Sequence, residues 1–258
     1  MGADMLHVYR CEMTFWEHVF FSSREISNFF QTEALLGNYA LAYAFELAQT
    51  PYHSEGPVRY GQDLRPLNDR GVYVTPGTLL GEPRFVLSQF NAQADSYWYA
   101  FTNNAIVTRT DDEMAVRQGA RWRVSNRKTG ADGFVRPNNY PQHGRIKMLA
   151  LSNRAVCYVV SREALALPRY VRLGKWMSKA SVATTHAIVR SEAKKDVTIP
   201  VFLNPADLLH PERLRTYDLV SVHPAPLVRN ATLSGEFLRA PDGVWLPAGM
   251  RFAVEGLL

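Results

Sequence analysis

The chain has 258 residues, enough for one domain with a large insertion or for two small ones sharing a core, and its 47% hydrophobic and 21% charged residues exclude a disordered or low-complexity protein. The net charge of +5 is unevenly spread: residues 109–190 carry 16 Lys and Arg against 5 Asp and Glu and the rest 13 against 19, a cationic segment between mildly acidic flanks that suits a surface meeting a polyanion. Only Cys11 and Cys157 are present, far apart, and no apolar run has the length of a membrane span or signal core, so no disulfide framework, export or membrane insertion is expected and a reducing cytoplasm is.

Leu6 to Phe15 alternates and holds Val8, Tyr9 and Thr14, which predicts a first strand ending in the aromatic cluster Phe15, Trp16, Phe20, Phe21. From Arg24 to Gln49 the residues Ile26, Phe29, Phe30, Leu35, Leu36, Tyr39, Tyr43 and Leu47 recur at helical steps, predicting a long helix, or two with a bend near Gly37. Thr50 to Asp69 contains Pro51, Gly56, Pro57, Gly61 and Pro66 and predicts a long loop, a feature that in a compact domain is functional or contacts a partner. Short strands follow over Gly71 to Thr75 and Phe85 to Phe90, and Tyr97 to Phe101 is expected to pair with Ala105 to Arg109 across Asn103-Asn104.

Residues 111 to 144 are rich in turn signals such as Thr129-Gly130 and Asp132-Gly133. Arg121, Arg123, Arg127, Lys128 and Arg136 are interleaved there with Trp122, Phe134 and Tyr140. Cations with aromatics between them suit an arm that grips nucleic acid, although a solvated loop has the same composition. Ile146 to Ser152 and Ala155 to Ser161 predict a hairpin, Tyr170 to Val182 and Val197 to Leu203 further strands, and Asn204-Pro205 a short helix ending near Leu209. Leu219 to Pro226 and Gly243 to Leu258 complete the sheet. The sum is an α+β domain with helices on one face, spanning 1–258, with a basic inserted arm at about 109–145 and a short-stranded portion at about 205–258.

Within the cationic segment, Arg172-Leu173-Gly174-Lys175-Trp176-Met177-Ser178-Lys179 places Arg172, Lys175 and Lys179 around a glycine that admits close backbone approach and a tryptophan that offers a face to a base. Nucleotide P-loop, dinucleotide-binding, serine-nucleophile and zinc spacings are missing, so no metal or cofactor is expected. Tyr140, His143 and Lys147 lie within eight residues and could supply acid, base and charge for cutting RNA without metal. The competing reading is that they bind phosphate and pack.

Several stretches, in order, carry a family resemblance: Tyr9-Arg10-Cys11, Phe20-Phe21-Ser22-Ser23-Arg24-Glu25-Ile26, Thr32-Glu33, Asn38-Tyr39-Ala40-Leu41-Ala42-Tyr43-Ala44, Pro51-Tyr52, Leu67-Asn68-Asp69-Arg70-Gly71-Val72-Tyr73-Val74-Thr75-Pro76, Phe90-Asn91-Ala92 and the run from Arg172 to Lys179. With these the chain resembles the Cas-five-type, or Csc-one, subunit of the type I-D CRISPR Cascade complex over most of residues 6 to 205. The resemblance implies a ferredoxin-like, RNA-recognition-motif-type sheet of the RAMP superfamily with an inserted hairpin or thumb. It implies a non-catalytic subunit that caps the complex by holding the 5′ handle of the CRISPR RNA, meets the backbone and large subunits, and lies near the protospacer-adjacent motif of target double-stranded DNA.

On that reading Arg172, Gly174, Lys175, Trp176 and Lys179, with Arg145 and Lys147, bind RNA. Arg121, Trp122, Arg123, Arg127, Lys128 and Arg136 on the arm grip RNA or the incoming duplex. The loop from Pro51 to Asp69 and the helix face around Asn38 meet protein partners. The alternatives are a metal-independent endoribonuclease that processes the precursor RNA and a structural assembly subunit with no nucleic-acid role.

Overall fold

The computed structural model describes residues 5–26, 29–48, 59–92, 99–102, 105–107, 113–118, 121–126, 128–135 and 142–254. The chain opens with β1 (Leu6–Phe15), β2 (Arg24–Ile26), β3 (Phe29–Gln31), β4 (Leu35–Leu36), α1 (Asn38–Ala44), α2 (Tyr60–Arg70), β5 (Tyr73–Val74), β6 (Gly77–Leu80) and β7 (Phe85–Ala92). It continues through β8 (Tyr99–Thr102), β9 (Ala105–Val107), β10 (Glu113–Gln118), β11 (Arg121–Asn126), β12 (Asp132–Val135) and β13 (Gln142–Leu149). It closes with β14 (Arg154–Ser161), β15 (Tyr170–Leu173), β16 (Ser178–Val189), β17 (Glu192–Ile199), two single 3-10 turns, β18 (Leu214–Val220), β19 (Leu227–Arg239) and β20 (Trp245–Pro247). Residues 1–87 and 146–258 make one compact unit and 88–145 another.

The large unit is built on a sheet of order β15-β16-β1-β14-β6-β4, with β5 also on β14. The period-two pattern of β1 sends Tyr9, Cys11, Met13 and Phe15 to a core shared with Tyr39, Leu41 and Ala42 of α1 and Leu64 and Leu67 of α2. Both helices therefore cover one face. Val8 with Val156, Tyr158 and Val160 of β14 joins the other core, whose far side is Ile199, Ala231, Leu233, Phe237 and Leu246. Those residues belong to a second sheet, β17-β19-β18 with β20 on β19. β14 is thus buried on both faces, and each large apolar side chain sunk there contributes about 1.5–3 kcal/mol.

The molecule is mostly antiparallel sheet with two α-helices among the described residues, compatible with the expected α+β class. Within the order β16-β1-β14-β6, both helices lie in the crossover from β1 to β6. The crossover from β14 to β16 carries β15 and no helix.

Several local expectations are corrected. The long helix over 24–49 is replaced by β2, β3 and β4, and among the described residues of that stretch helix forms only at Asn38–Ala44, after Gly37. The three- and four-residue spacing of Ile26, Phe29 and Phe30 fits a tight hairpin equally well, and these β-formers take it. An Arg24 to Glu33 ion pair of 2.6 Å and paired bonds between Thr32 and the Phe21 backbone hold it.

The loop expected over 50–69 contains α2, despite Pro66 inside it; 49–58 lie outside the described residues. Burial of Leu64 and Leu67 outweighs the lost backbone bond, and Gly71 in the left-handed region (φ +65°) ends the helix. The Asn38 face assigned to partners is buried instead.

The hairpin expected over 146–161 is a corner between sheets: β13 lies in the order β2-β3-β13-β7 and β14 joins the central sheet. The strand expected over 170–182 is itself a hairpin, β15 and β16. β19, the long centre strand of the second sheet, went unrecognised because Asn230 and Gly235 interrupt its apolar pattern, yet both sit inside it with positive φ.

Asp207, in the 3-10 turn Pro205–Asp207, ties the helical side together. Its carboxylate is buried and accepts bonds from Asn38 Nδ2 at 2.6 Å, Tyr73 OH at 2.9 Å, Tyr39 OH at 3.2 Å and the Ala253 N–H at 2.7 Å. Burial pushes its pKa up to about 6, against the lowering effect of those bonds. Four segments distant in sequence meet at this one group.

In the smaller unit β8 and β9 pair as expected, Tyr99 opposite Val107, and β10, β11 and β12 form a three-stranded meander. The β11–β12 turn is held by Asn126 Oδ1, which accepts from the Lys128 and Thr129 N–H groups.

Candidate nucleic-acid interface

Gly174 fixes the cationic hairpin to the body. It has φ +70°, and a Cβ placed there would lie 2.2 Å from the Phe20 carbonyl oxygen. The same oxygen accepts the Lys175 N–H at 2.8 Å. The close approach that glycine permits is therefore to the protein's own segment 16–21. That segment is strung between hairpin and sheet corner: Trp16 N–H donates to the Lys179 carbonyl, Ser178 Oγ to the His18 carbonyl at 2.7 Å, and Val19 exchanges bonds with Leu149.

On this base the cationic and aromatic side chains point outward. Trp176 is 52% exposed and leans on buried Phe20, with ring centroids 5.3 Å apart and planes at 47°. Trp16 is 63% exposed, its Nε1–H held by Ser181 Oγ at 2.9 Å, and Tyr170 and Met177 are also exposed. Arg172 and Lys179 face each other across the ladder. Arg172 Nη1 donates to the Met177 carbonyl at 3.2 Å, and the Lys179 ammonium sits 4.5 Å from the Tyr170 ring centroid.

Glu17 lies between them, accepting the Lys179 N–H at 2.7 Å and standing 4.0 Å from Arg172. Lys175 is exposed and has no carboxylate partner among the described residues. The result is a small platform of aromatic faces with cations around it, able to stack bases and neutralise phosphates. Trp16, Glu17, Phe20 and Tyr170 were not singled out as site residues. Trp16 and Phe20 belong to the aromatic cluster expected to end the first strand, and only the folded hairpin brings Phe20 to Trp176 and Trp16 to Lys179 and Ser181.

Other expected residues are placed as follows. Arg145 is exposed on β13, and Lys147 is half-buried with its ammonium 4.0 Å from the Phe85 ring centroid. In the smaller unit Arg123 is held by Asp132 through bonds of 2.9 and 3.0 Å, and these bonds keep the Asp132 carboxyl below its usual range. Lys128 is exposed in the turn, one strand end away. Arg121 and Trp122 lie on β11 and His143 on β13, with only their backbones described; Arg127, Arg136 and Tyr140 lie outside the described residues. No described contact brings Tyr140, His143 and Lys147 together.

Part of the cationic surplus is spent internally. Arg154 and Arg10 both bind Glu12, whose carboxyl, against the raising effect of burial, is held low by those bonds, and Arg10 also binds Asp242 at 2.8 Å. Among the described residues no cluster of three His, Cys, Asp or Glu could hold a metal, and no helix is long and apolar enough to cross a membrane.

No curated protein matches the chain. A family model described as Type I-D CRISPR-associated protein Cas5/Csc1 matches residues 6–255. Covering almost the whole sequence, including the first strand, the hairpin and the second sheet, the match shows that the chain belongs to the type I-D CRISPR-associated Cas5/Csc1 family.

Proposed function

We propose that the protein is the non-catalytic cytoplasmic subunit that holds the 5′ handle of the CRISPR RNA at one end of a type I-D Cascade interference complex. The reading rests on one observation above all: exposed Trp176 and Tyr170 lie on one hairpin with Arg172, Lys175 and Lys179, and exposed Trp16 is hydrogen-bonded to its second strand. An irregular single-stranded RNA end is recognised by such stacking and backbone contact, while target sequence is left to guide pairing. Arg145 and Lys147 extend the RNA-binding set. Arg121, Trp122, Arg123, Arg127, Lys128 and Arg136 grip RNA or the duplex beside the protospacer-adjacent motif. Backbone and large subunits are the protein partners, and the central sheet is a ferredoxin-like RAMP sheet whose second crossover has lost its helix.

The test is incubation of the purified chain with labelled repeat RNA and EDTA across a salt series. Intact RNA should bind with a steep salt slope, and Lys175→Ala/Trp176→Ala should weaken binding by roughly 10-fold or more. A flat salt response, or full binding by the double variant, sinks the assignment. Specific cleavage lost in His143→Ala would replace it by the endoribonuclease.

A further inference from the structure

β16 runs from Ser178 to Val189, but β15 covers only its first four residues. The Val182 N–H still finds the Arg169 carbonyl at 2.8 Å, and there the outer pairing ends. Because the Trp16 N–H is given to the Lys179 carbonyl and Val182 points the other way, odd residues of β16 bond to β1 and even ones face out. Thr184, His186 and Ile188 therefore present their N–H and C=O groups to solvent, and the side chains of all three are exposed. No backbone group of a described residue pairs with theirs, while the His186 ring bonds the His7 ring at 2.9 Å and stacks on Tyr9.

The two edges of the second sheet carry protection. β17 has Lys194 and Lys195 and a register break between Lys194 and Val197, and β18 has Arg215, Asp218 and two such breaks. Along Ala183–Val189 there is no Lys, Arg, Asp, Glu or Pro, and the register with β1 runs unbroken from Val189 to Ala180. A β-branched edge in unbroken register without those devices is a template for strand addition. Only an extended polypeptide matches such an alternating row of donors and acceptors; a nucleic acid does not.

The charges at its ends choose between occupants. In the two-fold register that uses all three outward residues, His186 meets its own copy and Arg190 of each chain falls opposite Val182 of the other. Arg169 is already there, so self-pairing sets two exposed arginines together at both ends. We propose that the outer edge Thr184–Ile188 of β16 docks one extended strand of a different protein chain, with an uncharged middle and acidic residues at its two ends. This goes beyond the RNA-handle reading and stands if that reading fails.

Hydrogen exchange by mass spectrometry, on the purified chain and on the same chain inside its assembled effector complex, tests it. The Thr184, His186 and Ile188 amides should exchange freely in the isolated chain and at least ~10-fold more slowly in the complex. Amides of Ala183 and Thr185, bonded to β1, should be protected in both. Thr184→Pro removes one outward N–H without touching the β1 ladder, and should lose co-purification with the complex while melting and repeat-RNA binding stay unchanged. Unchanged exchange on assembly overturns the proposal. So does the same protection produced by repeat RNA alone, or by a concentration-dependent dimer of the free chain. Exchange of the unmutated protein decides the matter if the proline variant fails to fold.

Discussion

Asp207 and Gly174 each pin together segments far apart in sequence, and they leave opposite kinds of surroundings. Around Asp207 the polar groups are buried and consume one another: Asn38, Tyr39, Tyr73 and the Ala253 N–H all end on one carboxylate. Around Gly174 only backbone is consumed, by Phe20, while Lys175, Trp176 and Met177 are left facing water. A polar cluster closed on itself is architecture. One anchored beneath and open above has affinity left over for a partner.

The contrast can be broken most forcefully at the closed cluster. Asp207→Ala leaves the Tyr39, Tyr73 and Asn38 donors buried without an acceptor and should cost about 3 kcal/mol or more, read as a lower urea midpoint. Binding of repeat RNA by the molecules that remain folded should not change.

Next comes pH. The Asp207 carboxyl titrates at about 6 in the folded protein against 3.8 ordinarily. Between those values the native state keeps a proton that the unfolded chain has lost. Its contribution to stability is therefore greatest below about pH 4, falls as pH rises to about 6, and is level above; the full change is about 3 kcal/mol. Chemical denaturation across that range, with Asp207→Asn as the variant whose profile lacks this step, measures it.

The smallest loss of stability is expected from Gly174→Ala, about 2 kcal/mol, from the strained φ and the clash with the Phe20 carbonyl. This variant should nevertheless weaken RNA binding, since it moves Lys175 and Trp176 together. Equal effects of the Asp207 and Gly174 changes on binding would erase the distinction.

How far the sequence revealed these regions follows from the range of the forces involved. Strict alternation marked β1, and the pairing of β8 with β9 was marked by the dipeptide Asn103-Asn104, because both signals are local. The run from Arg172 to Lys179 was legible as a cationic, aromatic cluster, but that it is a hairpin turn depended on a contact with Phe20, more than 150 residues away in sequence. Asp207 gave no signal at all, since a lone aspartate after Asn204-Pro205 looks like any turn residue until four remote donors surround it. The false helix over 24–49 arose because three- and four-residue spacing also describes short strands separated by tight turns.

β14, buried on both faces and flanked on both edges, has a consequence in time. On the ribosome β1 is finished first, yet its neighbours exist only when Ser161 and then Val189 have been made. Until then Tyr9, Cys11, Met13 and Phe15 have no sheet to enter, and the helices that pack on that face have no floor. The nascent chain must carry an unsatisfied apolar strand through most of its synthesis, and its assembly is correspondingly slow and exposed to aggregation. A ribosome stalled before Ser161 would therefore present a chain that chaperones bind and proteases cut, whereas one stalled beyond Val189 would hold a nearly finished central sheet.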